Sequence, residues 1–286
     1  MNDGKDNAYT MRLAQAGHIG DGKPAKADTV ISQYTDDRED GIGHELILPP
    51  DIRSAVDRFL TERDHADALA AHGLNPASKF LMTGRPGTGK TSLAALISRR
   101  SGLPLRTIRL DRLLNGLSGK TLENIGILFD RMRFVPCVLF LDEADSLLCS
   151  RRGRDDVSEM RRATSLLLQR IDDWNPMGIL IAASNMPELL DPAMFRRFDL
   201  RISMPAMTGN LAEEIIMLRL DEIGMRLDGR HFENAYEWGS RLTPALIVRT
   251  VDGLARETII RGGDVIDVDE LGRRFGRLAA GQMRDE

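Results

Sequence analysis

The chain has 286 residues, 42% of them apolar, which gives room for one α/β core and one smaller unit. Its 39 basic and 43 acidic residues leave a formal charge of −4, with no lysine-rich block and no basic stripe interleaved with aromatics, so nucleic acid is not the default partner. Cys137 and Cys149 show no C-x-x-C spacing and no clustered histidines, so they read as core thiols rather than metal ligands.

Residues 1–44 combine scattered Gly, Asp and Lys with few aliphatics and the acidic cluster Asp36-Asp37-Arg38-Glu39-Asp40, the composition of a flexible N-terminal tail. The start lacks an apolar signal segment and no window is long and apolar enough to span a bilayer, so the expectation is a cytoplasmic protein without membrane insertion. From Leu46 the pattern changes. Pro49-Pro50 precede a run with apolar residues at 52, 55, 56, 59 and 60, which is helical spacing.

The apolar stretch Phe80-Leu81-Met82 reads as a strand, and Gly84-Arg85-Pro86-Gly87-Thr88-Gly89-Lys90-Thr91 after it fits G-x-x-x-x-G-K-[ST] at every fixed position. That template arises by chance in roughly one chain in a hundred of this length, before a strand-turn-helix context is required. Glycines at 84, 87 and 89 allow positive φ, so that successive N–H groups of the loop converge on phosphate oxygens, with Pro86 inside the loop and Thr88 and Ser92 among the candidate nucleotide-binding residues. Lys90 supplies a mobile ammonium for β- and γ-phosphates, the helix opening at Thr91-Ser92 points its positive end there, and the Thr91 hydroxyl suits Mg²⁺.

Val138-Leu139-Phe140-Leu141 reads as a short buried strand ending in Asp142-Glu143. Beside a phosphate loop, Asp142 would hold the Mg²⁺ shell and Glu143 would polarise the attacking water, which separates hydrolysis from mere binding. A third strand, 178–183, ends in Ser184-Asn185 and is followed by Leu189-Leu190-Asp191-Pro192-Ala193-Met194-Phe195-Arg196-Arg197-Phe198-Asp199. Strands alternating with amphipathic helices over residues 45–205 indicate a parallel sheet with helices on both faces and a ligand site at the strand C-terminal ends. Residues 206–286 turn helical, with segments at Leu211–Leu220, capped by Asn210, and Thr243–Arg261, which reads as a small helical lid.

The strand ending in Asn, the L-D-P-A run and the arginine pair before F-D, joined to the loop and D-E motifs, resemble the AAA subgroup of AAA+ ATPases over about residues 46–275. The resemblance implies that Asn185 orients the water between Glu143 and the γ-phosphate. It also implies that Arg196 and Arg197 reach the nucleotide of a neighbouring copy, so that hydrolysis needs a homo-oligomeric ring or spiral of hexamer type. In protein-threading relatives an aromatic-hydrophobic-Gly tripeptide grips substrate in the pore; here Leu117-Ser118-Gly119 stands at that place, which weakens the grip on a threaded polypeptide. Arg151, Arg152 and Arg154 form a second candidate pore loop, in a chain with 33 Arg and 6 Lys. A sensor arginine at the lid-helix start is not assignable to Arg241 or Arg249. The function so implied is ATP-driven remodelling, dissociation or activation of a partner protein complex. The alternatives are an ATP-dependent switch or scaffold that recruits an effector, a subtilisin-like protease by resemblance, and a DNA-replication or transposition loader, which the acidic balance disfavours.

Overall fold

In a computed structural model the described residues are 35–36, 46–110, 121–145, 156–174, 177–190, 192–228 and 239–282. Leu117–Gly119, Cys149 and the Arg151–Arg154 loop lie outside them. The strands in chain order are β1 (Thr35–Asp36), β2 (Lys79–Thr83), β3 (Leu105–Arg109), β4 (Val138–Asp142), β5 (Ile179–Ser184), β6 (Leu200–Ser203), β7 (Arg226–Asp228) and β8 (Val265–Asp267). The helices are α1 (Pro50–Asp64), α2 (Ala66–Ala71), α3 (Lys90–Ser101), α4 (Thr121–Met132), α5 (Asp156–Asp172), α6 (Pro192–Phe195), α7 (Gly209–Glu222), α8 (Pro244–Ile260) and α9 (Val268–Gln282).

The main sheet runs β1-β3-β4-β5-β2-β6, and every pairing from β3 to β6 is parallel. The expected parallel α/β layer is therefore present. It carries one antiparallel addition, because Thr35 pairs with Ile108 and Asp36 with Thr107 at the β3 edge. Those two residues lie within the segment whose composition predicts a tail, so at that point the chain caps a sheet edge instead.

Side chains alternate across the sheet with period two, and each set meets its own helices. Phe80, Met82, Phe140, Ile181 and Ala183 form one core with Val56 and Phe59 of α1 and Leu93 and Ile97 of α3. Leu81, Leu139, Leu141, Leu180 and Ala182 face the opposite way, against Leu128 and Phe129 of α4 and Leu167 and Ile171 of α5. At the N-terminal end of the strands, the Arg63 guanidinium donates to the Met177 carbonyl at 3.1 Å and ties α1 to the turn before β5. A third apolar cluster, built on Ile216 of α7, Val251 of α8 and Phe275 of α9, is separate from both and includes Ile266 of β8.

The α7 cap differs from the sequence expectation. Thr208, not Asn210, accepts from the Leu211 N–H at 3.3 Å, and the helix starts at Gly209. Both residue types cap well; Thr208 has the extended backbone an N-cap needs, whereas Asn210 already lies inside the helix. For α8 the cap falls on Thr243, whose hydroxyl accepts from the Leu246 N–H at 3.4 Å ahead of Pro244 in the first turn.

Candidate nucleotide site

The glycine-rich loop leaves β2 and enters α3 at the carboxyl end of the sheet. Gly84 has φ 149° and Gly87 φ 75°. A Cβ on Gly84 would stand 2.8 Å from the Met204 Cβ, and one on Gly87 2.8 Å from the Thr243 Oγ1, so the loop is pinched between the end of β6 and the start of α8. Gly89, in the left-handed region, is the α3 N-cap and provides no side-chain cap. The first N–H groups of α3 are thus left without a capping side chain and suit a phosphate.

Lys90 is buried, and its Nζ donates to the Gly84 carbonyl at 2.7 Å and the Arg85 carbonyl at 2.9 Å. Burial pushes its ammonium below the usual lysine range, while the charges of Asp142 and Asp145 pull the other way. Across the loop, β4 ends at Asp142, whose Oδ1 accepts from the Glu143 N–H at 2.9 Å. Glu143 has φ 57°, the left-handed region, the one non-glycine to do so among the described residues. Such a conformation costs on the order of 1–3 kcal/mol and is held only by its surroundings; here the next residue, Ala144, donates its N–H to the Ala183 carbonyl at 2.8 Å.

Asn185 follows β5, and its N–H donates at 3.1 Å to Oδ1 of the buried Asp145. Asp145 therefore fixes the β4 and β5 ends relative to each other. It is a supporting residue that sequence reading missed, because its role depends on a contact 40 residues away.

One cavity of about 680 Å³ gathers these groups, within the size range of small-molecule sites. Loop residues Pro86, Gly87, Thr88, Gly89, Lys90, Thr91 and Ser92 line it together with Asp142, Glu143 and Asn185. Gly84 contributes through its carbonyl on Lys90. The wall away from the loop is apolar, from Leu46, Ile47, Met207, Leu211 and Ile215, and closes on a stripe of α8: Ala245, Val248, Arg249, Asp252 and Arg256. Positions 245, 248, 249, 252 and 256 share one helix face by the 3.6-residue period, a pattern visible in hindsight but not distinct from a solvated face. At the far end Arg219 pairs with Asp252 at 2.6 Å and Glu222 at 2.9 Å, binding α7 to α8. Hydrogen bonding to Asp252, opposed by burial, raises the Arg219 pKa further.

Arg196 and Arg197 stand apart from the cavity lining, in the turn between α6 and β6. Arg196 is exposed, and Arg197 is half-buried with Nε 3.1 Å from the Asp172 Oδ2. Arg241 is exposed and does not line the cavity; Arg249 does.

A family model described as ATPase family associated with various cellular activities (AAA) matches residues 80–206, from β2 through every motif above to the end of the arginine turn and β6. The chain belongs to the AAA+ ATPases. Members of this family hydrolyse ATP. Among similar proteins, the uncharacterized AAA family ATPase y4kL of Sinorhizobium fredii (strain NBRC 101917 / NGR234) is 45% identical over 141 residues, 49% of this chain and 43% of that protein. The katanin p60 A-like 1 ATPase of Oryctolagus cuniculus is 34% identical over 241 residues, 80% of this chain and 48% of its own length. The Homo sapiens protein of that name is also 34% identical, over 239 residues. The chain thus spans less than half the length of these relatives. The crystal structure of the FIGL-1 AAA domain shares the fold, with TM-score 0.65 at 20% identity, covering 95% of this chain and 97% of that one.

Proposed function

We propose that the chain hydrolyses ATP within an AAA-type homo-oligomer and uses the cycle to remodel, dissociate or activate a partner protein complex. The observation that carries this reading is a separation: Lys90, Thr91, Asp142, Glu143 and Asn185 line one cavity, whereas Arg196 and Arg197 of the same chain do not. Arginines with a catalytic role would therefore serve a second copy. The two sheet-flanking cores and the lid cluster support a division into a nucleotide-binding unit, 45–205, and a lid, 206–286.

In this mechanism the loop N–H groups and the α3 N-terminus hold the phosphates, and Lys90 exchanges the Gly84 and Arg85 carbonyls for phosphate oxygens. The donor set at the loop, a hydroxyl and a carboxylate with no sulfur or imidazole, fits Mg²⁺, which Thr91 and Asp142 would hold and which would offset phosphate charge. Glu143 takes the proton of the attacking water, Asn185 orients that water, and an arginine from the neighbour stabilises the charge that develops on the transferred group.

An ATP-bound oligomer that recruits an effector, with hydrolysis as its timer, is the second reading, favoured by Leu117 at the place of the pore aromatic. Client release by wild type and by Glu143→Gln separates the two: a remodeller stalls with the variant, whereas a switch still works. A rate unaffected by DNA is expected in both; salt-sensitive stimulation would point to the loader instead.

A further inference from the structure

The end of the cavity away from the phosphate loop is built differently from the rest. Thr243 lies against the loop at Gly87, and α8 runs from there past Ala245 and Val248 to Asp252, about 13 Å along its axis. That is the reach of a nucleoside triphosphate whose phosphates sit in the loop, so the base belongs at this far end. Along the same stretch α7 presents Ile215 and Leu218, then Arg219 and Glu222. The Arg219 Nε donates to the Asp252 Oδ1 at 2.6 Å and its Nη1 to the Glu222 Oε2 at 2.9 Å. The N–H groups of a guanidinium lie in its plane, so these carboxylates occupy its edges rather than its faces. The Arg219 side chain is 15% exposed, sheltered enough from water for a cation to attract a π-face.

We propose that Arg219 is the nucleobase platform of this site: its guanidinium, held by Asp252 and Glu222, stacks on the base and favours a purine over a pyrimidine. This rests on the reading of the cavity as a nucleotide site. Stacking is strongest on a planar group that is fixed before the ligand arrives, and two charge-assisted hydrogen bonds fix Arg219 at the cost of little further entropy on binding. Every base has a π-face, so such a platform sorts bases by stacking area rather than by donors and acceptors. Two fused rings therefore gain more than one. The aliphatic side chains of Ile215 and Leu218 beside it add apolar contact and read no base edge.

The test is calorimetric titration of the full chain with ADP and with UDP in the presence of Mg²⁺, read as the ratio of the two Kd values. Arg219→Ala is expected to weaken ADP on the order of 10-fold and UDP about 2- to 3-fold, so that the preference for the purine shrinks. Arg219→Lys keeps a cation that can pair with Asp252, and with it the tie between α7 and α8, but has no planar face; it is expected to lose the preference as the alanine variant does. A residue that served only to join the two helices would, when replaced, weaken ADP and UDP by the same factor. That outcome, or wild-type Kd values in Arg219→Lys, overturns the platform. Failure of the nucleotide reading looks different: the wild-type protein then binds neither diphosphate.

Discussion

At the residue scale, the proposed function rests nucleotide binding on the Lys90 ammonium, which is buried and donates to two loop carbonyls, and turnover on Glu143. Lys90→Ala is expected to abolish binding of a fluorescent ATP analogue. Because burial lowers the Lys90 pKa, its charge is lost as pH rises, and affinity should fall at a pH below the ordinary lysine value of 10.5. Glu143→Gln should keep binding and lose about 10²- to 10⁴-fold of turnover. Glu143→Gly should do so too but also raise Tm, because glycine relieves the φ of 57°; an unchanged or lower Tm would remove strain from the account. Burial pushes the Cys137 thiol up to about 12. The folded value lies above the unfolded one, so the stability held by the neutral thiol is complete below about pH 9 and lost as pH rises toward 12. In a Cys149→Ser background, alkylation of native protein at pH 8 should be slow and become fast in denaturant.

At the element scale, the loop packs against the start of α8, because Gly87 lies directly under Thr243, the cap of that helix. Gly87→Ala would place a Cβ 2.8 Å from the Thr243 Oγ1 at a φ of 75° that alanine disfavours. Weaker ATP binding together with a lower Tm is the expected outcome, and calorimetry with and without nucleotide checks it. Within the third apolar cluster, Phe275 is fully buried and its replacement by Ala should cost about 3–5 kcal/mol by denaturant unfolding. The strand-loop-helix around Gly84–Thr91 and the end of β4 at Asp142 were legible in the sequence because each is set by spacing within a few residues. The parallel sheet was legible because β2, β4 and β5 are continuous apolar runs, as strands buried on both faces must be. Other features were not. The β1 pairing spans two residues and leaves no pattern, Thr208 and Asn210 are both good caps two positions apart, and the contacts of Asp145, Asp172 and Asp199 join residues far apart in the chain.

At the scale of the whole molecule, one chain holds the cavity lined by Lys90, Asp142 and Glu143 and, outside that lining, the Arg196–Arg197 pair, which the proposed function assigns to a neighbouring copy. A single copy would bind ATP and hydrolyse it slowly. Mixing Arg196→Ala protomers with Glu143→Gln protomers should restore part of the turnover that each lacks alone, since each supplies what the other's interface is missing. The most direct measurement is ATPase rate per protomer as protein concentration is varied, with light scattering on the same samples with and without ATP. The account predicts a rate per protomer that rises together with ATP-dependent assembly. A flat rate from a protein that hydrolyses ATP as a monomer at every concentration would contradict it.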